Sequence, residues 1–139
     1  MKTCQLFLVL TVLTTLSYSC KEAKQDTSQM KEVLAIHDEV MPKMGTIGNL
    51  ISELDEEITK SDTAESYTKA RQDLKDAHKS MMDWMRNFGD RFDGEEIMKG
   101  KTLTEEKQQW LNEEEEKVKV LRDQINSSIK NAEELLKKE

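Results

Sequence analysis

The stretch that decides the fold runs from residue 64 to residue 88, AESYTKARQDLKDAHKSMMDWMRNF. Within it Tyr67, Ala70, Leu74, Ala77, Met81, Trp84 and Phe88 recur at alternating spacings of three and four. That spacing gathers apolar side chains into one stripe of a helix and leaves the Lys, Asp, Gln and Arg residues outside it. A helix with one apolar stripe must bury it against other elements. Nothing elsewhere in the chain alternates with period two for long enough to be a strand. The partners of this helix are therefore helices too.

Toward the N-terminus, Ser61-Asp62-Thr63 supplies a turn and a cap. Before it, the pattern predicts a helix over about 28–60. Met30, His37, Met44, Ile51 and Ile58 form a column seven apart, which Val33, Leu34, Val40, Met41, Ile47, Leu50 and Leu54 widen into a broad apolar face. Pro42 falls inside that helix, lacks an N–H and clashes with the preceding turn, so a kink or break is expected there. Toward the C-terminus, a loop is expected from Gly89 to about Lys101, its acids serving only solvation. They lack the alternation and closing Glu of a calcium-binding loop. A third helix is predicted from Thr102, with Glu105 completing a capping box. Its seam is Leu111, Val118, Ile125 and Ala132, flanked by Leu121, Ile129 and Leu135, with Glu113–Glu116 as a solvated face. The expected fold is all-α, an antiparallel three-helix bundle with a long C-terminal helix.

The N-terminus reads as an export signal. Lys2 precedes an apolar run, Leu6 to Leu16, which is shorter than the ~20 residues a membrane span needs. Ser17-Tyr18-Ser19-Cys20 follows and resembles a lipobox, in which the Cys20 thiol takes a diacylglycerol. The chain then divides into a signal peptide (1–19), the lipidated Cys and a flexible tether (20–27), and the helical bundle (28–139). Cys4 leaves with the signal, so neither a disulfide framework nor a thiolate metal site can be built. The lipid bilayer, engaged through Cys20, becomes the first partner. The expected location is the bacterial cell envelope, as an outer-membrane or cell-surface lipoprotein.

With 28 Asp and Glu against 21 Lys and Arg, the net charge is -7. An acidic chain of this kind is a poor binder of nucleic acid and of anionic lipid, so the lipid itself must hold it at the membrane. No Gly-rich phosphate cradle, nucleophile elbow or His-Glu-x-x-His appears, and there are only 2 His. A non-catalytic protein is expected.

Both His begin Met-bearing boxes: His37-Asp38-Glu39-Val40-Met41-Pro42-Lys43-Met44 and His78-Lys79-Ser80-Met81-Met82-Asp83-Trp84-Met85. Imidazole and thioether together are the donor set that Cu(I) prefers, and a thioether is not lost to disulfide formation outside the cytoplasm. If the first two helices form a hairpin turning near Ser61-Asp62, Met41 lies level with Met82. Met44 then lies one residue from His78, and His37 one residue from Met85. The candidate copper(I) ligands are therefore His37, Met41, Met44, His78, Met82 and Met85. Sets of this kind are similar to those of periplasmic copper carriers, which often place an aromatic beside the ion; Trp84 is adjacent in sequence. Two alternatives stand beside this one. The Met and His residues can be core filling alone, in a structural lipoprotein whose third helix pairs with a protein partner. Or a His/Met pair can hold b-type haem, which needs a large apolar slot and cations for its propionates.

The whole chain resembles the small helical lipoproteins of Bacteroidota, some of which carry the label "viral A-type inclusion protein". The resemblance rests on the lipobox, the Met/His boxes and the helical tail. It implies a surface or periplasmic location and no established enzyme activity.

Overall fold

The computed structural model describes residues 19–60 and 64–137, with side chains from Thr27 onward. The signal peptide, the lipobox side chains and the turn at 61–63 lie outside the described residues. Among those described there is no strand, and the protein is all-α. The helices are α1 (Ser19–Val40), α2 (Lys43–Lys60), α3 (Ala64–Arg91), α4 (Gly94–Lys99) and α5 (Glu105–Leu136). Residues 21–26, expected as a flexible tether, form the opening turns of α1.

The stripe of α3 is buried as its spacing requires: Tyr67, Ala70, Leu74, Ala77, Met81, Trp84 and Phe88 are its buried residues. The α5 seam, Leu111, Val118, Ile125 and Ala132, is also fully buried. The first column is different. Val33, Val40, Ile47 and Leu54, again seven apart, have no exposed surface, while of the expected column Met30 is buried and His37, Met44, Ile51 and Ile58 sit half-buried at the rim. Of two columns on one face, the purely aliphatic one goes inside. Burying the other would desolvate an imidazole.

Pro42 divides α1 from α2. The Met41 N–H still donates to the His37 carbonyl at 2.9 Å, and helical bonding resumes with the Met44 N–H to the Met41 carbonyl at 3.1 Å. Pro42 has no N–H to offer, so the ladder loses a rung there. Val40 and Ile47 stand on either side of the break and are both fully buried, so the core column runs through it.

Polar contacts fix the directions. Gln29 of α1 donates to Asn112 and Lys43 of α2 to Asn126, both at a separation of 83 residues, so α1 and α2 in succession run parallel to α5. Arg71 reaches Asp55 at 2.5 Å, joining α3 to α2 in antiparallel sense. Helix α2 packs against α3 and α5, α1 lies chiefly along α5, and α3 packs along α5 as well.

The region expected as a loop is mostly helical. α3 continues past Gly89 to Arg91, and α4 follows. The acids there are not solvation: Asp93 accepts from the N–H groups of Glu95 and Glu96, both at 2.9 Å, and Glu96 accepts from the Asp93 N–H at 2.8 Å. This is a capping box, which satisfies the free donors of a helix start. Glu96 is buried and held by Lys107 at 2.6 Å. Helix α4 ends at Gly100, whose φ of 68° and near contact with Thr27 both require glycine; a Cβ there would lie 2.7 Å from Thr27 Cγ2. Because that turn uses the residues through Lys101, α5 begins later than expected. Its cap is Thr104, accepting from the Lys107 N–H at 3.2 Å, rather than Thr102.

Candidate functional site

The two His/Met boxes meet across the seam between α1–α2 and α3. Arg71, His78, Met82 and Met85 follow one another at spacings of seven, four and three, so they share one flank of α3. Arg71 on that flank reaches Asp55 of α2, so the flank borders the first two helices. From the other side, the His37 ring lies 5.8 Å from the Trp84 ring, with the planes 30° apart. The hairpin register sets His37 level with Arg86, one residue from Met85, and the observed contact at Trp84 lies two residues from that level. Trp84 continues into an aromatic ladder, 5.0 Å to Phe88 and then 4.9 Å to Phe92.

The six residues differ in depth. Met41, Met44 and Met82 are half-buried and packed against the core. His37 keeps 20% of its side chain exposed, and its Nδ1 lies 2.9 Å from the Asp38 carboxylate. A carboxylate on one ring nitrogen fixes the imidazole and leaves Nε2 as the donor for a ligand. His78 is exposed, and Met85 is 37% exposed. Four donors therefore line the seam and two stand outside it. Among the described residues, no group of three or more His, Cys, Asp or Glu comes together as a metal site. Any soft metal here depends on the thioethers.

The opposite flank of α3 faces α5 and holds charged groups that sequence reasoning placed in solvent. Glu114, expected in a solvated run, is fully buried. Its Oε1 accepts from Arg91 at 3.0 Å and from Lys117 at 2.9 Å, while Oε2 has no partner. Arg91 also bonds Glu113 at 2.7 Å and lies 5.5 Å from the Trp110 ring centre. The signal for Glu114 is in the spacing. Leu111, Glu114, Val118, Leu121, Ile125, Ser128 and Ala132 alternate by three and four, so Glu114 falls on the seam despite its charge.

Four carboxyls around this region are held below their ordinary values. Glu113 is lowered first by its bond from Arg91, and Glu115 first by Lys119 and then by Gln29. Asp83 is lowered first by Lys79, and Asp93 first by the Glu96 N–H and then by Lys101. Between α3 and α5 an open groove of about 540 Å³ runs past Trp84, Glu114 and Gln124. Neither His nor Met lines it.

Set against known proteins, the chain matches no family model, no curated protein and no solved structure.

Proposed function

We propose that this is a lipid-anchored, non-catalytic protein of the bacterial envelope. In this reading an antiparallel three-helix bundle with a long C-terminal helix carries Cu(I) at the seam between α1–α2 and α3. The observation that carries it is the setting of His37. Its imidazole is oriented by Asp38, stands beside Trp84, and has the half-buried Met41 one turn further on. Met44 and Met82 add thioethers at the same seam, and His78 and Met85 share the α3 flank of Met82 but are exposed. A partly open site of soft ligands suits a carrier that must also release its metal. The anchor remains Cys20, as the lipobox-like Ser17-Tyr18-Ser19-Cys20 suggests.

Titration with Cu(I) under reducing conditions tests the site. The expected result is one equivalent bound more tightly than about micromolar, weakened in a His37→Ala/His78→Ala double variant. Binding no tighter than that, or binding unchanged in the variant, ends the metal reading.

The exposure of His78 and Met85 favours a second reading, in which the boxes are packing alone and the function is interaction through α5. The haem alternative gains no support from the groove, whose lining lacks both axial-ligand types.

A further inference from the structure

We infer that the α4 end of the bundle rests on the headgroup layer of a neutral lipid bilayer, with Met98 as its contact. The inference rests on the anchor at Cys20 and is independent of the metal reading, which uses other residues.

The start of α1 carries the argument. A flexible tether would let the bundle tumble above the membrane. Here α1 begins at Ser19, so Cys20 lies within the same helix that enters the core at Met30. Seven residues of helix separate Cys20 from Thr27, a rise of about 10 Å. Seven residues are also close to two full turns, so position 20 falls on the flank of α1 that Thr27 occupies. That flank is where α1 meets α4, since a Cβ on Gly100 would lie 2.7 Å from Thr27 Cγ2. A cleft of about 220 Å³ lies between the two helices, with Thr27, Met30 and Lys31 on one side and Ile97, Met98 and Lys99 on the other. The lipid-bearing position and α4 therefore share one side of a single rod. An upright rod would hold α4 above the headgroup layer, which is about 5–7 Å thick. Tilted toward the shared flank, the rod brings Met98 into that layer.

The surface at this end suits a lipid. Met98 is the most exposed large apolar side chain among the described residues, at 80%. Ile97 and Leu103 near it are half-buried and packed against the core. The charges select which lipid. Lys99 is paired with Glu95, and Lys101 with Asp93 and Glu95. The first turn of α5 adds Glu105 and Glu106 at the same end. Lys31 is exposed and has no acidic partner among the described residues. With its other lysines already paired and further acids beside them, this surface gains little from anionic lipid. A zwitterionic headgroup offers a phosphate to Lys31 and an apolar boundary to Met98.

The test uses the full chain, made in a bacterium that processes lipoproteins and reconstituted into phosphatidylcholine vesicles. Intact mass reads the diacylglycerol on Cys20. Once Cys20 is a thioether and Cys4 has left with the signal, Met98→Cys supplies a single thiol for a nitroxide. Glu53→Cys, exposed on α2 toward the far end, supplies the reference. Relaxation of the nitroxide by dioxygen, which concentrates in lipid, is compared with relaxation by a water-soluble nickel chelate. The expected dioxygen-to-nickel ratio is several-fold higher at position 98 than at position 53. A nitroxide introduced through Thr102→Cys, exposed just past α4, behaves like position 98 while Met98 is present. Adding Met98→Asp lowers it to the reference value. A chain without diacylglycerol on Cys20 overturns the anchor and this inference together. This inference alone is overturned by a lipidated chain with equal ratios at positions 98 and 53, by a ratio at position 102 that survives Met98→Asp, or by a contact that needs added phosphatidylglycerol.

Discussion

The two halves of the bundle, divided at the level of Pro42, are built from different materials. In the half formed by α2, the start of α3 and the end of α5, the core is Ile47, Leu50, Leu54, Ala70, Leu74, Ala77, Ile125 and Ala132, with Tyr67 and Ser128 the exceptions. In the other half, the aliphatic Val33, Val40, Leu111 and Val118 are joined by Trp84, Phe88 and Phe92 stacked in a ladder, and the carboxylates Glu96 and Glu114 are buried within hydrogen-bond reach of Lys107, Arg91 and Lys117. The groove and the His37–Trp84 contact both belong to this second half. Aliphatic packing supplies stability through area and shape alone. Buried charge and aromatic rings supply direction, because each needs a particular partner at a particular place. The half that carries candidate chemistry is the half whose core is least like oil.

The largest effect should come from the aliphatic half. Leu74→Ala empties a fully buried site and is expected to lower stability by about 2–5 kcal/mol, read from a denaturant or thermal melt. A loss below that range would mean that the aliphatic half collapses around the gap. Next in size is Glu114→Ala, which removes one of the two carboxylates paired with each of Lys117 and Arg91. Arg91 keeps Glu113 and both cations reach solvent, so about 1–3 kcal/mol is expected. A variant as stable as the parent would show that this network does not hold the fold together.

Acid gives the smallest effect. Asp83, Asp93, Glu113 and Glu115, all in the polar half, have carboxyls lowered in the folded state. Their stabilisation is therefore complete above the ordinary carboxylate range, and it is lost as pH falls through the lowered values. Amide protons of α4 and the start of α5 should lose protection from exchange before those of α2 as pH drops. Salt at neutral pH should trim the same contribution, since these groups stand near the surface. Equal loss of protection in the two halves would erase the distinction.

How much of this was readable in the chain depended on whether a pattern had a rival. The α3 stripe had none, and each of its residues is buried. On α1 and α2, two columns seven apart competed, and only tertiary packing chose Val33-Val40-Ile47-Leu54 over the one containing His37. The short α4 has too few residues to show a period, though Asp93 followed three residues later by Glu96 is the signature of its cap. Glu114 was hidden by its neighbours: a run of four acids reads as surface unless the seam spacing is carried through it. The level at which His37 meets α3 followed from the hairpin register to within two residues, Trp84 in place of Arg86. The depth of each candidate ligand did not, because spacing gives a residue's face and height but not how far a neighbouring helix covers it.

The parallel pairing of α1 with α5 also has a consequence in time. Helices α2 and α3 are separated by three residues in the chain, and Asp55 and Arg71 are only 16 residues apart. The contacts that seat Gln29 of α1 on α5 join residues 79, 83 and 86 apart. Closing the longer loop costs more chain entropy and requires α5 to be in place already. Folding is thus expected to begin in the aliphatic hairpin and to end with the docking of α1. His37 would then be delivered to Trp84 in the last step.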